Sequence, residues 1–375
     1  MSNHSNHVIL IQNRLPRYRE DFFCKLFESG KKNNINYELY LNIRRDQSRK
    51  DESTLNNSNI KYFSNIEFTL FGRTFGLRKI NLDIIKCDLV ICEFGLKNIL
   101  TILLLKILRI KPTAFWGHGE HYGKKYTKIE KMFRDRVSKI FSYYFVYTKN
   151  GKIHLETIGF KSKNVFLLNN TINERSLINA RENTSATEIR EFQNRYNIND
   201  AKICVFIGSL DTSKRLEFLI EAIKIVKIQN PEFKLLIFGE GIERHYLEKV
   251  QNDSFILLGR SDLKSLGVVA NIAKFILMPG LVGLVAVDSF ALQLPIITTQ
   301  WEYHSPEFEY LENGKDCLIV KDDILTYAST ISHALNNRQL IEGLKRGCRE
   351  KAEVYSLENM VDQFHNGVIQ TLSEL

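Results

Sequence analysis

The chain of 375 residues is poor in cysteine, and the six it has (Cys24, Cys87, Cys92, Cys204, Cys317 and Cys348) show no CxxC or comparable spacing. That gives neither a redox motif nor a disulfide framework. Several lie in apolar, strand-like runs, which suits buried structural thiols in a reducing compartment, and none reads as catalytic. Long apolar runs are absent too. The most apolar helical stretch, "NILTILLLKILRI" from Asn98 to Ile110, is interrupted by Lys106 and Arg109. It falls short of the roughly 20 residues a membrane span needs, so a packed domain helix is expected. The amino-terminal "MSNHSNHVILIQNRLPRYRE" lacks the basic start and longer apolar core of a secretory signal, and the expected location is the cytoplasm. There is no internal repeat, heptad run or low-complexity tract beyond the polar loop "RRDQSRKDESTLNNSN".

Acidic residues are outnumbered, leaving a formal charge of +9. Such an excess admits nucleic acid, an anionic membrane surface or acidic small molecules as partners. Basic residues interleaved with stacking aromatics are not evident, which argues against nucleic acid. In "HYGKKYTKIEKMFRDRVSK" they share a helix-like pattern with Tyr126, Ile129, Met132 and Phe133, which is either a solvated face or one that meets anionic lipid.

What the chain does contain is alternation. In the second half, "AKICVFIG", "PEFKLLIFGEG", "SFILLG", "AKFILM" and "LPIITT" read as buried strands. They alternate with the helical segments "KRLEFLIEAIKIVKIQ", "IERHYLEKVQ", "DLKSLGVVANI" and "GLVAVDSFALQ". Short continuous apolar strands separated by helices imply a parallel sheet covered on both faces. The first half alternates less regularly through "HVILIQ", "NYELYL", "CDLVICE", "TAFWGHG", "YYFVYT" and "NVFLLNN". An α/β architecture of two Rossmann-like doubly wound lobes follows: residues 1–172, then a polar linker and helix over 173–200, a second lobe over 201–355, and a terminal helix over 356–375.

Ligands of open parallel sheets sit outside the carboxyl ends of the strands, and anions prefer helix amino termini. Gly208 and Ser209 follow the first strand of the second lobe in "FIGSLDTSKR", where Gly208 is expected to permit a close turn and Lys214 to reach a phosphate. Gly239 ends the next strand. Gly280 and Gly283 lie in the loop before the helix that carries one acid, Asp288, so the amides of Gly283, Leu284 and Val285 are placed to cradle a diphosphate.

These stretches resemble the donor lobe of GT-B glycosyltransferases, in particular the retaining glycosyltransferase family 4. The family pattern G-R-L-x-x-x-K, G-x-G and then P-S-x-x-E-G-F-G-L-x-x-x-E corresponds here to "GSLDTSK", "GEG" and "PGLVGLVAVDSFALQLPII", over about Ala201 to Val320. The resemblance implies a GT-B fold with its lobes facing a cleft. It makes Lys214 the phosphate-binding lysine and Asp288 the second acid of the E-x7-E motif, which holds the nucleotide ribose. A histidine near the donor sugar corresponds to His118 in "FWGHGEHYG", and Arg260 is placed beside the base. The "P-x-Y-R" form of the first loop puts Arg17, Tyr18 and Arg19, with Glu120 and His121, on the acceptor side. The terminal helix resembles the segment that packs back on the first lobe.

Two positions depart from the pattern. Ser209 stands where the family has arginine, with Arg215 beside Lys214 as a possible substitute charge, and Gly280 occupies the place of the first E-x7-E glutamate. The downstream "HSPEFEYLENGKDCLIV" keeps the family's "PE...G" layout. The implied activity is retaining transfer of a hexose from a nucleotide diphosphate sugar to a glycan or lipid-linked acceptor in surface polysaccharide assembly. No metal or other cofactor is expected: His118, Glu120 and His121 lack a third well-spaced ligand partner. A nucleotide-sugar epimerase on the same scaffold, and a non-catalytic sugar-nucleotide binding protein, are the competing readings.

Overall fold

The computed structural model describes residues 5–42, 53, 55–63, 65–70, 73–78, 82–95, 98–108, 112–120, 126–199 and 202–374. The chain forms two compact units, one from residues 1–172 with 357–375 and the other from 173–356.

In the first unit β1 (Asn6–Gln12) leads through a single 3-10 turn, Arg17–Arg19, into α1 (Glu20–Lys32), followed by β2 (Ile35–Asn42) and β3 (Ile60–Phe63). An antiparallel hairpin of β4 (Asn65–Leu70) and β5 (Arg73–Arg78) precedes α2 (Leu82–Lys86). Then come β6 (Leu89–Glu93), α3 (Ile99–Leu108), β7 (Thr113–Gly117), α4 (Lys128–Ser138), β8 (Tyr143–Val146), α5 (Lys149–Thr157) and β9 (Val165–Leu167). The sheet order is β3-β2-β1-β6-β7-β8-β9, with every ladder parallel. Because both faces are covered, successive residues of β1 from Val8 to Ile11 are all buried, which is why these strands read as unbroken apolar runs.

The second unit begins with α6 (Glu174–Glu182) and α7 (Ala186–Tyr196). These occupy the segment read as a linker and helix, but both pack within the unit. The Asn271 amide donates to Arg181 O at 3.0 Å, and Gly267 lies so close to Ala180 O that an added methyl would approach it to 2.4 Å. The unit continues through β10 (Lys202–Ile207), α8 (Leu216–Gln229), β11 (Phe233–Phe238), α9 (Arg244–Lys249), β12 (Phe255–Gly259), α10 (Leu263–Ile272), β13 (Ile276–Leu277), α11 (Val285–Leu292) and β14 (Ile296–Thr299). It ends with β15 (Cys317–Val320), α12 (Ile324–Leu335) and α13 (Arg338–Val354). The parallel order is β12-β11-β10-β13-β14-β15. The order reverses between β10 and β13, so the loops leaving these two adjacent strands diverge and open a crevice at their carboxyl ends.

The chain then returns to the first unit as α14 (Leu357–Ser373), packed on α1. Phe364 sits with its ring centroid 5.5 Å from Phe22, 5.0 Å from Trp116 and 4.7 Å from Phe145. His365 Nδ1 lies 2.8 Å from the Tyr37 hydroxyl. Five of the six cysteines are buried and Cys24 is half-buried, and none is in a disulfide. Among the described residues no helix is long and apolar enough to cross a membrane.

Candidate functional site

The carboxyl ends of β10 and β13 bring the charged and glycine-rich segments of the second unit together. After β10, Asp211 caps a single 3-10 turn, Thr212–Lys214, by accepting from the Ser213 amide at 2.9 Å and from the Ser209 hydroxyl at 2.5 Å. Burial works against the Asp211 charge, but these hydrogen bonds outweigh it and hold the carboxyl below its usual range. The turn aims Lys214 inward, leaving it 9% exposed with Nζ donating to Leu281 O at 2.7 Å. Burial pulls the ammonium's pKa down, with Asp211 opposing.

After β13 the loop is pinned at each step. The Leu281 amide donates to Ser213 O at 2.9 Å, and the Val282 amide donates to His304 Nδ1 at 3.1 Å. Further on, the amides of Ala286 and Val287 turn back to Gly283 O and Leu284 O. Between them, the amides of Gly283, Leu284 and Val285 donate to no group among the described residues. Three unspent donors therefore sit at the positive end of α11, beside the lysine-bearing turn, which is the arrangement an anion requires.

Asp288 lies one turn into α11 and is half-buried. Burial pushes its pKa up to about 7. Burial without a charged partner disfavours the carboxylate, a cost that hydrogen-bond donors aimed at it would offset.

The structure revises several expectations. Gly208 is not the crowded glycine: a methyl there would meet only ordinary contacts, at 3.6 Å. The close approach is at Gly239, where a methyl would fall 2.0 Å from Gly208 O. Arg215, beside Lys214, already has an ion-pair partner, and it also reaches Pro279 O at 3.4 Å. Its backbone takes a left-handed φ of 55°, and its guanidinium turns to Asp322 Oδ1 at 2.5 Å and stacks 4.4 Å from the Phe218 ring. Arg260 is exposed just past β12.

Within the first unit, Arg17 and Tyr18 are exposed, but Arg19 is not available to an acceptor. It is 5% exposed, donates to Asn170 Oδ1, and packs against the rings of Trp116 and Tyr147. His118 follows β7 with its ring 5.0 Å from Tyr147. Its surface is exposed, yet the atoms crowded around the ring, then the charges of Arg19 and Arg134, push its pKa below the ordinary histidine range, so the imidazole is neutral at pH 7. Glu120 is half-buried, and His121 lies outside the described residues. Among the described residues no three His, Cys, Asp or Glu side chains cluster as a metal would need.

Sequence reasoning passed over the segment after β14. His304 accepts from Val282 on Nδ1, so its proton sits on Nε2, 3.0 Å from Thr299 O, to which it donates. Its ring stacks on Phe308 with centroids 3.9 Å apart. Burial first, then the Lys214 charge, lowers its pKa against the pull of the Thr299 carbonyl. The neutral histidine is a brace that ties the glycine loop to β14. The signal in the sequence is "HSPEFEYLENG", which carries no local pattern that would assign His304 its partners.

Comparison with known proteins bears on this geometry. Residues 201–337 match the family described as glycosyl transferases, group 1. A search of curated protein sequences returns no significant match. Among solved structures, HepE of Anabaena in complex with UDP superposes with a TM-score of 0.70 at 12% identity, covering 99% of this chain and 100% of that one. Sucrose-phosphate synthase of Thermosynechococcus elongatus gives 0.69 at 15% identity, over 99% and 100%. A glycosyltransferase of Rickettsia africae gives 0.68 at 13% identity, over 96% and 97%. At these identities the likeness establishes the fold, which is that of GT-B glycosyltransferases.

Proposed function

From a GT-B chain whose second unit carries a group 1 glycosyl transferase domain, we propose transfer of a hexose from a nucleotide diphosphate sugar to a glycan or lipid-linked acceptor. The observation that carries this reading is the trio of undonated amides at Gly283, Leu284 and Val285, placed with Lys214 where the strand order of the second sheet reverses. Those donors would take a diphosphate, and Asp288, in the first turn of α11, is assigned to the ribose hydroxyls.

Departure of the nucleoside diphosphate concentrates negative charge on the phosphate. Donors fixed in advance, in a partly water-excluded site, stabilise that charge without reorganising at the moment of reaction. Lys214 and the three amides take this role, with no metal ion assigned to it. Asp288 orients the nucleoside, and His118, neutral at pH 7, is assigned to a sugar hydroxyl. Arg17 and Tyr18 are assigned to an anionic acceptor. Retention of the anomeric configuration, and a role in bacterial surface polysaccharide assembly, belong to the same proposal. They rest on the likeness of "GSLDTSK" and "PGLVGLVAVDSFALQLPII" to retaining enzymes.

Attachment to an anionic membrane surface is supported by α4. Ile129, Met132 and Phe133 are exposed there among Lys128, Lys131 and Arg136.

Thermal unfolding with UDP, GDP and ADP and their sugar conjugates tests the site. A ligand at 100 times its Kd stabilises the fold by about 2.7 kcal/mol. UDP and UDP-glucose, which Anabaena HepE structures hold, are the first pair to try. A chain that none of these ligands stabilises does not have this function. The absence of an acid at Gly280 favours one second reading, a binding protein without turnover. Donor binding with no transfer or hydrolysis across an acceptor panel would select it.

A further inference from the structure

Position 280 has no room for an acid. A methyl group on Gly280 would lie 2.4 Å from Ser213 O and 2.6 Å from the Lys214 carbonyl carbon. These are backbone atoms, fixed by the Leu281 amide's bond to Ser213 O and the Lys214 ammonium's bond to Leu281 O. The contact that aims Lys214 therefore forbids a side chain at this position. A sugar seated beside the diphosphate needs an acceptor for its hydroxyls from somewhere else.

The segment after β14 provides one. His304 holds it to Val282 from one side, and the Ser305 amide closes the other by donating to Val282 O at 3.0 Å. Pro306 then starts a short 3-10 turn, Pro306–Tyr310, that packs against α11. Glu307 falls on its inner side, 4% exposed. Its Oε2 lies 3.8 Å, and the Ser305 Oγ 3.3 Å, from where a β-carbon of Gly283 would stand. Gly283 has no side chain, so a carboxylate and a hydroxyl lie over bare backbone next to the undonated amides.

We infer that Glu307, carried in from the 304–310 segment with Ser305 beside it, is the acid that binds the donor sugar's hydroxyls in place of one at position 280. This rests on the nucleotide-sugar site proposed above. It differs from a purely structural role, in which Glu307 only offsets the positive end of α11. A structural acid would affect every ligand of the site alike. A sugar-binding acid affects only ligands that carry the sugar.

The experiment is calorimetric titration of wild type, Glu307→Gln and Glu307→Asp with UDP against UDP-glucose, and in parallel GDP against GDP-mannose and ADP against ADP-glucose. For the pair that wild type binds, Glu307→Gln should hold the bare diphosphate within about twofold of wild type. It should bind the sugar conjugate about tenfold or more weakly, the scale of one hydrogen bond to a charged group. Glu307→Asp, which keeps the charge but withdraws it by one methylene, should fall between. Equal weakening of both ligands, or unchanged binding of the conjugate, overturns the inference while leaving the nucleotide site intact. Wild type that binds no member of any pair overturns the nucleotide-sugar reading itself. If Glu307→Gln does not fold, Glu307→Asp alone decides, by whether its loss is confined to the sugar conjugate.

Discussion

Replacing Asp288 by asparagine separates what the acid costs the fold from what it does for a ligand. Its pKa rises from 3.8 to about 7 through burial. At about 1.36 kcal/mol per unit, that is about 4 kcal/mol of lost preference for the carboxylate. The side chain is only half-buried, so roughly half of that, about 2 kcal/mol, is the amount we expect an isosteric amide to recover. Because the folded pKa lies above the unfolded one, the folded protein binds the extra proton between them. Wild-type stability is then full below about pH 3.9, falls as pH rises through about 7, and is level beyond. Urea unfolding from pH 4 to 8.5 should show wild type and Asp288→Asn diverging over that window, with the variant more stable by about 2 kcal/mol at the alkaline end. Binding should run the other way. Wild type should hold UDP more tightly at pH 8 than at pH 6, as the carboxylate forms and accepts both ribose hydroxyls, while the variant binds weakly with a flat profile. Parallel stability curves, or UDP binding by the variant equal to wild type at pH 8, would refute the reasoning.

Lys214→Ala should lower turnover by about 10²–10³, or roughly 2.7–4 kcal/mol in the barrier, if the ammonium serves as one preorganised donor. Steady-state kinetics with saturating donor measures it, and near-normal kcat rejects the role. Gly280→Ala should destabilise the fold by about 1–3 kcal/mol, because the added methyl meets backbone at 2.4 Å and cannot rotate away. A denaturation midpoint within error of wild type would show that the lysine-bearing turn yields. The double variant Ile129→Glu and Phe133→Glu should abolish cosedimentation with anionic vesicles and leave soluble-acceptor turnover unchanged. Retained vesicle binding would move the membrane face away from α4.

Much of the sheet framework was legible because a strand buried on both faces has to be apolar at every position. "HVILIQ", "AKICVFIG" and "PEFKLLIF" carry that signal without help from neighbours, and their alternation with helices dictates parallel pairing. The hairpin of β4 and β5 was missed, since "NIEFTLFGRTFGLR" offers no comparable apolar run. The polar segment from Asn173 read as a linker because its helices bury little of themselves. They are tied in by contacts with no local signature, among them the close approach of Gly267 to Ala180 O, the Arg181 guanidinium's bond to Ala291 O and the Lys264–Glu188 ion pair.

By itself the sequence determined most of the alternation of strands and helices and the glycine-bearing segment between β13 and α11, because each follows from residues near one another in the chain. The tertiary structure alone decided which groups share a site. It paired Arg215 with Asp322, buried Arg19 beside Asn170, closed position 280 against the Ser213–Lys214 backbone, and set Glu307 over Gly283. Each of these depends on two loops leaving different strands and meeting within a few ångströms, and side-chain reach at that scale is fixed by packing that no local pattern encodes.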